Sequence, residues 1–180
     1  MIGAAALVGG CASVPMASPE ADAKAKSFVA ATDGNAELYV YRNEAMGGAI
    51  KMPLLLDNLS IGDTGPHTYV FKEVTPGKHT IVSKTENDVS LEINAQPGQT
   101  YYVWQEVKMG VWSARSALHQ VDEKTGQQAV KECKLIECRA DCTVELVDRR
   151  TRGRTARSFA PALTRARDAS VQAHPAPGDP

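Results

Sequence analysis

Residues 89–107 read Val89-Ser90-Leu91-Glu92-Ile93-Asn94-Ala95-Gln96-Pro97-Gly98-Gln99-Thr100-Tyr101-Tyr102-Val103-Trp104-Gln105-Glu106-Val107. Val89, Leu91 and Ile93 alternate with Ser90, Glu92 and Asn94, the period of a strand with one buried and one wet face. Gln96-Pro97-Gly98-Gln99 then places Pro and Gly at the two central positions of a turn: Pro presets its φ, and Gly accepts the positive φ that a type II turn needs. The chain returns through a run of aromatic and β-branched residues, which fit a pleated, half-buried surface.

The same unit recurs on either side. Thr75-Pro76-Gly77-Lys78 joins the strand-like runs 67–74 and 79–84, and 36–42 is a further run rich in Tyr and Val. A run over 49–56 contains Pro53, which predicts an edge strand or a bulge. A last strand falls within 113–121. No helix-period segment separates consecutive strands, which excludes doubly wound and TIM-barrel folds. The fold class read from this pattern is mainly β, an antiparallel β-sandwich (Ig/prealbumin-like) of about seven to eight strands. One short C-terminal helix follows. Thr125-Gly126-Gln127-Gln128 has capping-box form, and Ala129, Val130 and Cys133 share a face. Lys131 and Lys134 fall near its negative end. Ser18-Pro19-Glu20 predicts an earlier, shorter helix.

At 180 residues and 19.3 kDa the chain has room for one domain with extensions. Its net charge of −1 gives no polycationic bias, so nucleic acid is not an expected partner. The charge is unevenly spread. Residues 1–136 hold ten Lys, two Arg and 15 acidic residues, a net −3; residues 137–180 hold eight Arg and six acidic residues, a net +2. This Arg/Ala/Pro-rich segment shows no apolar period and is read as a disordered tail, unable to bury enough surface to offset its ordering entropy.

At the other end, Val8-Gly9-Gly10-Cys11 resembles the lipobox of bacterial lipoproteins. The resemblance implies cleavage after Gly10 and a diacylglyceryl thioether on Cys11, with residues 1–10 the remnant of a signal peptide. A secretory signal carries a basic first region. No Lys or Arg precedes Cys11, so further residues are expected upstream. The resulting division is signal remnant 1–10, lipid-anchored linker 11–33, β-sandwich 34–136 and tail 137–180. Ala12 follows the cysteine, which by analogy points to outer-membrane attachment facing the periplasm.

Further residues carry a family resemblance. They are Tyr39-Val40-Tyr41-Arg42-Asn43, Val74-Thr75-Pro76-Gly77-Lys78-His79-Thr80, Pro97-Gly98-Gln99-Thr100-Tyr101-Tyr102-Val103 and a helix ending Cys133-Lys134-Leu135. Together these resemble bacterial lipoproteins of the DUF2846 type, over roughly residues 11–136. The resemblance implies a secreted, lipid-anchored β domain and transfers no catalytic residue.

Motifs for chemistry are sparse. His67, His79, His119 and His174 show no metal-ligand spacing, and there is no nucleophile elbow or phosphate loop. The expectation is a non-catalytic binding or scaffold domain without cofactor or metal. His67 and His79, brought together across the Pro76-Gly77 turn, are the basis of a less favoured metal-dependent hydrolase. Cys133, Cys138 and Cys142 lack the paired knuckles of a zinc site. In an oxidising compartment one pair of them can form a disulfide. The candidate ligand platform is aromatic: Tyr101, Tyr102, Trp104 and Trp112, facing cell-wall glycan, a peptide or another envelope protein.

Overall fold

The computed structural model describes residues 13–138 apart from Thr32 and Ser113. Two sheets pack face to face. The strands are β1 (Ala36–Arg42), β2 (Met52–Leu56), β3 (Leu59–Thr64), β4 (Thr68–Val74), β5 (Gly77–Lys84), β6 (Asp88–Ala95), β7 (Thr100–Lys108), β8 (Arg115–Val121) and β9 (Lys134–Leu135). Two helices, α1 (Pro19–Ala25) and α2 (Glu123–Lys131), complete the described residues. One sheet has the order β8-β7-β1-β4-β9 and the other β3-β2-β5-β6. The mainly β sandwich read from the sequence is the fold observed.

β1 lies at the centre of the larger sheet and is buried along its whole length. Its alternation therefore separates two apolar environments instead of core from solvent. Ala36, Leu38 and Val40 face the second sheet and join Leu54, Ile81, Ile93, Val70 and Val103 in an aliphatic core. Tyr39 and Tyr41 point the other way and pack with Tyr69, Tyr102, Ala25, Ala129, Val130 and Cys133 beneath the helices.

Both Pro-Gly turns are crossings between sheets, not hairpins. β4 and β5 belong to different sheets, as do β6 and β7. Gln96–Gln99 closes as a turn, with the Gln99 N–H on the Gln96 carbonyl at 3.2 Å and Gly98 at φ +70. At the other crossing the Thr75 carbonyl is taken by the His79 ring instead, at 2.7 Å.

Several local expectations change. β3 is an additional strand, joined to β2 by Asp57 and Asn58, both at positive φ. Two such residues make the tight turn whose twist suits a hairpin. Its Ser, Gly and Asp content hides it from a propensity reading. Gly62 within it has φ +140, and a Cβ there would stand 2.7 Å from Ile136 Cδ1. Pro53 is not on an edge strand, since β2 lies between β3 and β5. Pairing with β5 begins only at Leu54, and a register shift separates Leu54 from Leu55, so the bulge is present and the missing N–H is tolerated. The sheets are not wholly antiparallel, because β1 pairs with β7, and β4 with β9, in parallel.

α2 is capped by Asp122, not Thr125. The Asp122 carboxylate accepts the Thr125 N–H at 3.0 Å and its hydroxyl at 2.7 Å. Gly126 lies against the Tyr102 ring, where a Cβ would come within 2.2 Å. Lys134 belongs to β9 and not to the helix end. α1 begins after Ser18 with Pro19 in its first turn, as its sequence predicts. It does not act as a free spacer. Tyr39 donates to the Ala25 carbonyl at 2.8 Å, Tyr69 to Asp22 at 3.0 Å, and Lys26 to the Cys133 carbonyl at 2.6 Å. The described part of the segment read as a linker is thus docked on the sandwich.

Candidate functional site

The four aromatic residues of the expected platform do not share a surface. Tyr101 straps an inter-sheet crossing: its hydroxyl donates to the Asn94 carbonyl at 2.9 Å and accepts the Gln96 N–H at 3.0 Å. Tyr102 is 1% exposed, stacked on Tyr39 with ring centroids 5.1 Å apart and closed over by α2. Burial pushes its phenol up to about 12. Trp104 is half-buried beside His119, 5.4 Å away. Trp112 lies in the β7–β8 connection and is 92% exposed. Strand alternation sends Tyr101 and Tyr102 to opposite faces, and both faces of this sheet are covered. Cys11, the expected acylation site, lies outside the described residues, as do residues 1–10 and the tail beyond Cys138.

The histidines are likewise dispersed. His67 precedes β4 in a turn at φ +51, whereas His79 stands near the start of β5, at the opposite end of the sandwich. A seven-residue strand separates those ends by roughly 20 Å. The pair behind the metal-hydrolase alternative is therefore not assembled, and no metal-holding cluster occurs among the described residues.

His79 instead forms a staple. Its Nδ1 lies 2.6 Å from Asp57 Oδ2, and Nε2 lies 2.7 Å from the Thr75 carbonyl. Asp57 Oδ1 also accepts the Thr80 N–H at 2.9 Å. Two acceptors favour the doubly protonated ring. Burial lowers the His79 pKa, but the bonds to Asp57 and Thr75 outweigh it and the net shift is upward. Desolvation of Asp57 is outweighed in the same way, and its carboxyl sits below the usual range. An Asp–His pair with its second ring nitrogen on a backbone carbonyl has no site left for a nucleophile.

Other titratable groups are equally engaged. Cys133 is a buried free thiol, its Sγ 3.6 Å from the Arg42 carbonyl, and burial pushes it up to about 12. A thiol in that range forms little thiolate. Glu37 is raised by burial, and Thr100 donates to it at 3.2 Å. A depression of about 610 Å³ beside α2 is lined by the helix's own polar face, including Glu123, Gln127 and Lys131.

The distinctive chemistry gathers where β1 and β7 end. Arg42 is fully buried, and its guanidinium donates to the carbonyls of Ile50, Met46 and Gly47 at 2.9, 2.6 and 2.8 Å. It thereby fixes the β1–β2 connection. Beside it a buried polar chain crosses between the sheets. Thr64 donates to Gln105 Oε1, Gln105 Nε2 to Ser83 at 2.6 Å, and Ser116 to Ser83 at 2.8 Å. Above these, Met109, Val111 and Trp112 are 84%, 73% and 92% exposed. At two of them the backbone is held: Glu86 accepts the N–H groups of Val111 and Trp112 at 3.4 and 3.0 Å and pairs with Arg115 at 3.0 Å. Sequence reasoning passed over Met109 and Val111; their signal was an uncharged, apolar tip between Lys108 and Arg115.

Residues 32–117 match the family described as protein of unknown function (DUF2846). An uncharacterized protein of Haemophilus influenzae (strain ATCC 51907 / DSM 11121 / KW20 / Rd) is 36% identical over 133 residues, which cover 73% of this chain and 79% of the relative. The chain belongs to the DUF2846 family. The DUF2846 match spans β1 to the start of β8 and so takes in the Arg42 cage, the polar chain and the exposed tip.

Proposed function

We propose that this DUF2846 protein is a lipid-anchored protein of the bacterial cell envelope whose β-sandwich binds or scaffolds and does not catalyse. The observation that carries the reading is the position of Val14. It is 7% exposed and part of the aliphatic core, yet only three residues follow Cys11 to reach it. Three residues span at most about 11 Å. A thioether on Cys11 behind the lipobox-like Val8-Gly9-Gly10 holds the domain close to the bilayer, with no long stalk. Each buried acyl CH₂ contributes roughly 0.8 kcal/mol, so several chains anchor it stably. Outer-membrane placement facing the periplasm rests on Ala12 following the cysteine.

The non-catalytic part of the reading draws on the internal bonding of His79, Cys133 and Glu37. The glycan- or peptide-binding alternative loses its aromatic strand face, because Tyr101 and Tyr102 are engaged within the fold. Palmitate labelling of the full-length product beside Cys11→Ala tests the anchor. Label in the parent and none in the variant, with the variant moving to the soluble fraction, is the expected result. Label that persists in Cys11→Ala overturns it.

A further inference from the structure

We infer that Cys138 is joined to Cys142 in a disulfide, a covalent modification that reserves Cys11 for the thioether. Cys138 is disulfide-bonded. The chain has four cysteines, at positions 11, 133, 138 and 142. Cys133 is not the partner. It is a buried free thiol, with Sγ 3.6 Å from the Arg42 carbonyl. It also belongs to the aromatic cluster beneath the helices, whereas Cys138 packs against the aliphatic core between the sheets. The larger sheet stands between the two sulfurs. Cys11 and Cys142 remain.

Both lie within reach of Cys138. Met16 bridges Ile136 in the antiparallel sense, and the Glu137 N–H donates to the Pro15 carbonyl at 2.8 Å. One step further along this pairing Cys138 comes opposite Val14, and both residues pack on the same core. Cys11 is three residues from Val14, and Cys142 is four from Cys138. Those stretches span at most about 11 and 14 Å, and a disulfide needs Cα atoms roughly 4.4–6.8 Å apart.

Chemistry makes the choice that chain length leaves open. A thioether sulfur has no S–H to surrender and cannot enter a disulfide. The choice of Cys142 therefore rests on the proposed anchor at Cys11. The bond forms by thiol–disulfide exchange with an oxidant that is itself a disulfide, of a thiol oxidase or of a small thiol. One cysteine thiolate attacks it and the other then displaces the mixed disulfide. Two S–H bonds are lost here, and the oxidant leaves as two thiols with the two electrons and two protons. Such a bond persists in an oxidising compartment, the setting that the envelope reading supplies. Cys138 Sγ also lies 3.6 Å from the Ile61 carbonyl of β3, so the ring closes directly against the second sheet.

Peptide mapping of the full-length protein taken from cells, its thiols alkylated in denaturant before any reductant is added, tests the inference. Trypsin cuts after Lys131, Lys134, Arg139 and Arg149, which places Cys133, Cys138 and Cys142 on separate peptides. The expected map shows peptide 135–139 joined to 140–149 until it is reduced, with Cys133 alkylated beforehand. Peptide 135–139 joined instead to the peptide carrying Cys11 overturns the pairing and the anchor together. Peptide 135–139 joined to a second copy of itself, or recovered alkylated without reduction, overturns the pairing alone. Palmitate labelling reads the anchor separately: a 138–142 pair in protein that takes no label refutes the anchor and leaves the pairing standing.

Discussion

The two ends of the sandwich are built on opposite plans. At the end holding residues 57–58, 75–78 and 96–99, short turns are tied down by their own side chains: Asp57 and His79 at one place, Tyr101 at another. The other end buries an arginine and a chain of hydroxyls and amides, then exposes apolar side chains above them. Buried polar groups cost stability unless fully bonded, and exposed apolar ones gain none. The first end is explained by folding alone. The second spends stability on fixing the shape of its loops beneath an exposed apolar tip.

The comparison breaks most sharply at Arg42. Arg42→Met should lower stability by about 3 kcal/mol, because three part-buried carbonyls lose the charged donor they share. A denaturant midpoint that hardly moves would show that the cage is incidental. Gln105→Leu comes next, at about 2 kcal/mol, since Thr64 and Ser83 each lose a buried partner; urea unfolding reads it.

At the stapled end the effect is smaller and depends on pH. The His79 pKa is raised above 6.5, so its contribution is complete below that value and fades as pH rises through the folded value. The Asp57 pKa is lowered below 3.8, so its contribution is present above 3.8 and is lost as pH falls through the folded value. His79→Gln should therefore cost the most between about pH 4 and 6.5, by under about 1 kcal/mol because the Asp57 carboxylate is half-exposed and screened by solvent, and approach the parent in alkali. Thermal melts across pH that keep a constant gap would contradict the staple. Smallest of all, Trp112→Ser should stay within about 0.5 kcal/mol of the parent in the same melts. A larger loss would mean that the tip serves the fold.

Much of this was legible in residue order. Alternation at Val89, Leu91 and Ile93 marked β6, and the Pro-Gly pairs marked two turns, though not that they cross between sheets. β3 escaped because Ser60, Gly62 and Asp63 weaken its strand character, although Asp57-Asn58 between apolar runs carried a turn signal. The aromatic platform misled for a different reason. Period two assigns Tyr101 and Tyr102 to opposite faces but says nothing of what covers each face, and here a second sheet covers one and α2 the other.

Sequence by itself determined the strand–turn rhythm and the Ser18-Pro19 helix start, because these depend on neighbours within a few residues. Only the tertiary structure decided that the Pro-Gly turns change sheets, that α1 is docked and not a tether, and that Arg42 is buried while Trp112 is displayed. Those outcomes depend on which distant surfaces meet, and in a sandwich most partners of a strand lie far along the chain.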